Sequence, residues 1–248
     1  MTAQRSSAPH LGLVIPCFNE EQVIPRLLAE LDRFAAATKH PVSILFVDDG
    51  SRDQTFELLS QACAADPRKA CIRFSRNFGH QTAVSAGLKL ARGDVVAVLD
   101  ADLQDPIDVV PSMLEKWREG YDVIYGVRRN RKESWLLRFA YAAFYRILKT
   151  MANIDIPLDS GDFCVMDRRV VQTINSMPEQ NRFIRGMRGW VGFKQLGCPY
   201  DRAARAAGAT KYTFSRLLKL AFDGIVNFSI VPLRLASLLG LTAATFSM

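Results

Sequence analysis

The stretch VLDADLQDP, residues 99–106 preceded by Val98, sets Asp100, Asp102 and Asp105 directly behind an apolar run. In extended chain, residues two apart face the same side, so Asp100 and Asp102 can converge on one point. Two hard carboxylates with open positions suit Mg2+ or Mn2+ bridging to phosphate oxygens. A single D-x-D triplet is also what a turn would use. Its neighbourhood raises its weight, because Asp48–Asp49 end a second apolar run and Glu20 follows a third.

The elements that must carry these acids are legible in the first half. LGLVIP (11–16), VSILFVDD (42–49), ACIRFS (70–75), VVAVLD (95–100) and YDVIYG (121–126) read as strands. Their near-continuous apolar character suits strands buried on both faces. Helical spacing links Ile24, Leu27, Leu28, Leu31 and Phe34, with Pro25 suited to a first turn. A second helix holds Phe56, Leu58, Leu59 and Cys63, with Ser51 or Asp53 as candidate N-cap. A third runs from Thr82 to Leu90, with Gly93 as C-cap. The alternation implies an α/β fold, a mostly parallel sheet with helices on both faces. Ligands of such sheets sit at the carboxyl ends of the strands, where the acids are.

The second half is less regular. WLLRFAYAAFYRILKTMA (135–152) reads as an amphipathic helix, PLDSGDFCVMDRR (157–169) as a loop entering a short strand, and NRFIRGMRGWVGFK (181–194) mixes arginines with aromatics. From 182 to 219 the basic residues include Arg182, Arg185, Arg188, Arg202, Arg205 and Lys211, against the single acid Asp201. With a net charge of +7 over 248 residues, this points to an acidic ligand or an anionic membrane face. FSRLLKLAFDGIVNF (214–228) is amphipathic and suits either a membrane surface or packing on protein. The apolar run after Arg234 is shorter than the roughly 20 residues of a membrane span. It reads as the start of a truncated transmembrane segment, with a core helix as the other reading.

Several chemistries lack their signatures. No G-x-x-x-x-G-K-[ST] phosphate loop, no G-x-G-x-x-G after the first strand and no G-x-S-x-G elbow occurs. Five cysteines show no metal spacing, and their odd number suits reduced thiols. His80 stands alone in SRNFGHQTAVSAG and reads as structural. Positive charge is the one feature in favour of nucleic acid, and no binding module accompanies it, so nucleic acid is not expected.

The ordered series VIPCFNEE, FVDDGSRDQT, FSRNFGHQTAVSAGL, VLDADLQDP and YDVIYGVR resembles the family 2 glycosyltransferases of the GT-A fold. PLDSGDFCVMDRR, NRFIRGMRGWVGF and ATKYTFSRLLKLAFDGIVNFSIVPLR extend the likeness to the polyprenyl-phosphate glycosyltransferases, to about residue 235. The resemblance implies a Rossmann-like GT-A domain over 1–212, and a membrane-proximal amphipathic helix leading into the truncated segment over 213–248. It implies metal-dependent, inverting transfer from a nucleotide-sugar, expected to be a UDP-sugar, to a polyprenyl phosphate. Pro16, Asn19, Glu20, Asp48 and Asp49 then resemble the nucleotide-contacting groups. Asp100 and Asp102 resemble the ligands of Mg2+ or Mn2+ and of the diphosphate, with Gln104 beside them. Arg128, and Arg138 in a loop of variable length, resemble the arginines facing the acceptor phosphate. Asp159 and Asp162 resemble an acidic loop facing the sugar, and Arg205 and Lys211 a basic loop closing over the diphosphate. In GATKY, Ala209 and Thr210 depart from the family's usual polar residue followed by Ser. The implied place is the cytoplasmic face of the plasma membrane, in contact with membrane lipids, with assembly into a homo-oligomer as in relatives of this type. Two other readings are a glycosyltransferase acting on a polysaccharide or soluble acceptor, and a non-catalytic nucleotide-sugar sensor.

Overall fold

The structure, a computed structural model, describes residues 5–129, 160–180 and 182–201, together with 237, 242 and 245. The chain divides into two compact units, 1–131 with 159–209 and 132–158 with 210–248. The helices expected at 135–152 and 214–228, and the apolar run after Arg234, lie outside the described residues.

The first unit is an α/β sheet assembly. In chain order it contains β1 (Leu11–Cys17), α1 (Ile24–Ala37), β2 (Val42–Asp48), α2 (Thr55–Ala65), β3 (Lys69–Arg73), α3 (His80–Leu90), β4 (Val95–Val98), α4 (Val110–Arg118) and β5 (Val123–Arg128). Then follow β6 (Ser160–Asp167), α5 (Arg168–Ser176), α6 (Ile184–Trp190) and β7 (Gln195–Tyr200). The seven strands are ordered β3-β2-β1-β4-β6-β5-β7. All five strands expected in the first half form, but β4 stops at Val98, so Asp100 and Asp102 lie in the turn beyond it rather than in extended chain. The sheet is mostly parallel, as expected, but β6 runs antiparallel between β4 and β5. This strand is longer than the short one anticipated and lies inside the sheet. Its alternation is masked because Phe163, Cys164, Val165 and Met166 are buried in succession, as a two-sided strand requires.

Local chemistry accounts for the starts of α1 and α2. Ile24, Leu27, Leu31 and Phe34 bury one stripe of α1, and Pro25 sits in the first turn, where no donor is needed. The N-cap of α2 is Gln54 rather than Ser51 or Asp53, but Asp53 beside it steadies the helix start: its Oδ1 accepts from Thr55 N–H at 3.1 Å and Thr55 Oγ1 at 2.6 Å. Helix α3 begins at His80, two residues earlier than its apolar spacing indicates, and ends on Ala91 rather than on Gly93. Gly93, at φ 106°, instead makes the turn into β4. Gly87 lets α3 lie directly on the sheet, because a Cβ there would sit 2.2 Å from Val14 Cγ1. On the opposite face Leu11, Leu13, Ile15, Phe46 and Val95 form one cluster with α1 and α4.

Register decides where the chemistry lies. Cys17 aligns with Asp48, and Asp48 with Arg73, so β1, β2 and β3 end level. Arg128 aligns with Tyr200 at the ends of β5 and β7. Because β6 is antiparallel to β5, its first residues return to this same edge. Asp48, Asp100, Arg128, Asp162 and Tyr200 therefore share the carboxyl edge of the parallel strands.

Candidate active site at the carboxyl edge of the sheet

The turn after β4 carries three acids in six residues. Gln104 N–H donates to Asp102 Oδ1 at 3.1 Å. Leu103 between them adopts φ 58°, a left-handed conformation that costs a bulky residue on the order of 1 kcal/mol. Asp105 is buried, and Asp100 is partly exposed. Burial pushes the Asp100 carboxyl up, and although His80 opposes this, Asp105, Asp162 and Asp102 add to it, to about 6. Burial first, and the neighbouring carboxylates after it, thus work against a bare charge on Asp100. A hard divalent cation held by Asp100 and Asp102 fits that donor set. Among the described residues no group of three or more His, Cys, Asp or Glu side chains forms a fuller cage. Such an ion would draw its other ligands from water and substrate oxygens, as Mg2+ commonly does.

Asp162, early in β6, sits in a network contributed by three elements. Arg185 grips it with two bonds, Nε to Oδ1 at 2.8 Å and Nη2 to Oδ2 at 2.7 Å. His80 Nε2 stands 3.2 Å from Asp162 Oδ2 and 3.8 Å from Asp100 Oδ1, bridging the two acids. Gln81 Nε2 lies 3.4 Å from both Asp162 oxygens, and its Oε1 accepts from Ile184 N–H at 2.9 Å. Gln81 thereby ties the start of α3 to the start of α6. Burial raises the Asp162 carboxyl, but the Arg185 guanidinium and then His80 outweigh it and hold it well below the usual range. Burial likewise pulls the His80 imidazole down, and Asp162 and Asp100 outweigh that and push it up to about 9. Asp162 is a fixed anion here, a poor proton acceptor and a good orienting charge.

The acids after β2 divide their work. Asp49 accepts from Asn77 Nδ2 at 2.9 Å, Phe78 N–H at 2.7 Å and Gly79 N–H at 2.9 Å. Gly79, at φ 101°, allows the chain to turn both amides onto the carboxylate. Asp49 thus closes the loop that leads into α3. Asp48 is fully buried; Ser51 N–H donates to its Oδ1 at 3.1 Å. Its Oδ2 is buried and pairs with Arg73 Nε at 3.3 Å without a hydrogen bond. Pro16 is buried in β1 opposite Val47. Asn19, at φ 52°, accepts from Arg52 N–H and donates its own N–H to Ser51 Oγ, each at 2.9 Å. Glu20 N–H donates to Thr55 Oγ1 at 2.8 Å. These contacts lock the loop after β1 onto the loop after β2.

Arg128 closes the other end of the edge. Its Nε donates to Tyr200 Oη at 3.4 Å, and Tyr200 Oη donates to Asp105 Oδ1. Its Nη2 lies 3.7 Å from where a Cβ on Gly161 would stand. Asp100, Asp102, Gln104, Asp162 and Arg128 are thus placed along the carboxyl edge with Asp48, while Asp159, Arg138, Arg205 and Lys211 lie outside the described residues. Sequence reasoning named Asp105 and Arg185 without giving them a role at this edge, did not single out Gln81 or Tyr200, and read His80 as structural. Arg185 was visible as one positive charge among many, and no spacing rule pairs it with an acid 23 positions earlier.

Comparison with known proteins agrees with this fold. Residues 13–174 match glycosyl transferase family 2. An uncharacterized glycosyltransferase of Bacillus subtilis strain 168, YkcC, is 47% identical over 231 residues, covering 93% of this chain and 72% of its own. A prophage bactoprenol glucosyl transferase homolog of Escherichia coli K12 is 39% identical over 236 residues, covering 95% and 77%. Among solved structures, the mannosyltransferase PcManGT of Pyrobaculum calidifontis, in complex with GDP-Man and Mn2+, superposes with a TM-score of 0.58 at 17% identity. That likeness spans 90% of this chain and 69% of that one, and shows a shared GT-A-type fold. By its fold, its ordered edge of acids and its matched span, the chain belongs to glycosyl transferase family 2 and is a glycosyltransferase.

Proposed function

We propose that this glycosyltransferase moves a sugar from a nucleoside diphosphate-sugar, a UDP-sugar, onto a polyprenyl phosphate at the cytoplasmic face of the plasma membrane. The observation that carries the reading is the charge layout of one sheet edge. Asp100 and Asp102 stand at its centre, Asp100 linked through His80 to the Arg185-gripped Asp162, while Arg128 faces Gly161 beside them. The naming of relatives at 38–39% identity as bactoprenol glucosyl transferases supports the acceptor class.

The donor's nucleoside meets the loops after β1 and β2. Asp48 supplies its negative charge there through the ion pair with Arg73 rather than through an exposed oxygen, and Pro16, Asn19 and Glu20 wall the site. Asp49 contributes by holding the 77–79 loop in place. Asp100 and Asp102 are the residues that would hold Mg2+ or Mn2+, with Gln104 beside them. Bound there, the ion supplies positive charge against the leaving diphosphate. Arg205 and Lys211 would add to that charge from the late basic loop. Arg128, with Arg138, orients the acceptor phosphate. A phosphate monoester with a second pKa of about 6 is largely a dianion at neutral pH. It therefore attacks without a dedicated base, and a single displacement inverts the anomeric centre. Asp162, held anionic, and Asp159 orient the sugar and oppose the positive charge that develops on it. Residues 1–212 would form the catalytic domain and 213–248 the membrane-proximal part, in contact with lipid and available for homo-oligomer contacts.

The test is transfer of label from UDP-glucose, and in parallel GDP-mannose, to undecaprenyl phosphate in detergent with Mg2+ or Mn2+. A lipid-linked product that disappears with chelator and with Asp102→Asn is the expected result. Nucleotide release that proceeds at full rate without lipid would move the acceptor to a soluble molecule. Tight nucleotide binding without turnover on either class of acceptor would favour a sensor.

A further inference from the structure

Tyr200 ends β7 and is 4% exposed, yet it presents its hydroxyl to two charged groups of the carboxyl edge. It is the register partner of Arg128, and Arg129 N–H donates to its carbonyl at 3.0 Å, so the two strand ends are fixed by backbone before any side chain acts. Space for the ring is reserved by Gly126. A Cβ there would lie 2.6 Å from Tyr200 Cε1 and 2.7 Å from Phe163 Cδ1. The ring packs edge to face on Phe163, with centroids 5.3 Å apart. The phenol oxygen is thus held at one point between Asp105 and Arg128.

A phenol suits that point better than a direct carboxylate contact. A tyrosine hydroxyl has one proton to donate and lone pairs to accept with. Here the proton goes to Asp105, and the oxygen accepts from Arg128 Nε. An Asp105–Arg128 ion pair would engage the guanidinium fork that recognises phosphate bidentately. The interposed phenol engages Nε and leaves the orientation of the Nη edge toward Gly161 intact. The far end of the relay, Asp105, belongs to the same turn as Asp100 and Asp102.

We infer that Tyr200 is a positioning residue: it holds the Arg128 guanidinium in the orientation that receives the acceptor phosphate, and anchors it to the acidic turn through Asp105. The inference rests on the reading of Arg128 as an acceptor-phosphate group. Tyr200→Phe removes the hydroxyl and keeps the ring on Phe163. In the full chain, binding of undecaprenyl phosphate in detergent should weaken about ten- to hundredfold, the size expected for one lost hydrogen bond to a charged group. Nucleotide affinity should stay within about twofold. Arg128→Ala should weaken lipid binding further, and adding Tyr200→Phe to it should change nothing more, since the phenol acts through the arginine. The Arg128 Nε–H resonance, assigned by its loss in Arg128→Lys, should exchange with solvent faster in Tyr200→Phe.

The outcomes separate the two ideas. If Arg128→Ala binds undecaprenyl phosphate as the native chain does, the acceptor reading of Arg128 is wrong and the inference goes with it. If Arg128→Ala weakens binding but Tyr200→Phe does not, or the two effects add in full, the acceptor reading stands and the role of Tyr200 is refuted. An Arg128 Nε–H exchange rate unchanged in Tyr200→Phe refutes it independently of any lipid.

Discussion

The two ends of the sheet build their acidic sites in different ways. At the β1–β2 end, Asp48, Asp49 and Asn19 are held chiefly by backbone amides, those of Ser51, Arg52, Phe78 and Gly79. At the β5–β6 end, Asp162 is held by side chains from α3 and α6, and Arg128 by a side chain from β7. Backbone amides are supplied by any sequence that makes the turn. A guanidinium fork or a phenol is supplied by one residue. The first end should therefore respond to substitution through its loops and its stability. The second should lose its chemistry outright.

Asp162→Asn should give the largest effect. It removes the fixed negative charge and breaks the two-bond grip of Arg185, which is three-quarters buried. Transfer should fall by about 10²–10³-fold, the usual scale for removing a preorganised charge. Stability in a denaturant titration should drop by about 2–3 kcal/mol, discounted for the partial exposure of Arg185. A transfer rate within tenfold of native would erase the contrast between the two ends.

Gly87→Ala probes the platform shared by both ends. The added methyl must displace Val14, so the thermal midpoint should fall in line with an overpacking cost of about 1–3 kcal/mol. The surviving folded protein should keep its affinity for nucleotide.

Asp49→Ala is the matching change at the first end. Two amides and the Asn77 side chain lose their acceptor, and about 2 kcal/mol of stability should go with them. Nucleotide affinity should weaken with the loop, while Asp49→Asn, which keeps an acceptor oxygen, should recover much of both. If Asp49→Asn were as damaging to binding as Asp49→Ala, the carboxylate would be contacting the ligand itself.

The smallest effect concerns pH. Arg68 holds the Asp66 carboxyl far below the usual range, and Lys69 stands 3.3 Å away. A lowered folded pKa means stability that is present above the unfolded value of about 3.9 and is lost as pH falls toward the folded one. Because Arg68 is nearly half exposed, the contribution should be below about 1 kcal/mol. Comparing urea midpoints of native chain and Asp66→Asn between neutral and strongly acid pH should show the two converging as the pH drops.

Sequence alone was enough to place β1 to β5, the helical stripe of α1 and the acids at the strand ends. Each rests on short-range order: apolar runs, a 3.6-residue stripe, or an acid directly after a strand. The family resemblance extended this to Arg128 and Asp162. The same short-range logic misplaced the start and end of α3, where a glycine conformation and a close approach to β1 prevail over side-chain spacing. It also gave no sign that β6 enters the sheet antiparallel, because pairing direction depends on a partner strand far away in sequence.

What tertiary structure decided was partnership. Asp162 meets His80 and Gln81, 82 and 81 positions before it, and Asp105 meets Tyr200, 95 positions after it. No periodicity links such positions. A side chain's role at this edge depends on which charges the folded sheet sets within about 4 Å of it, where their interaction exceeds thermal energy. Composition lists those charges, and only the register of seven strands brings them together.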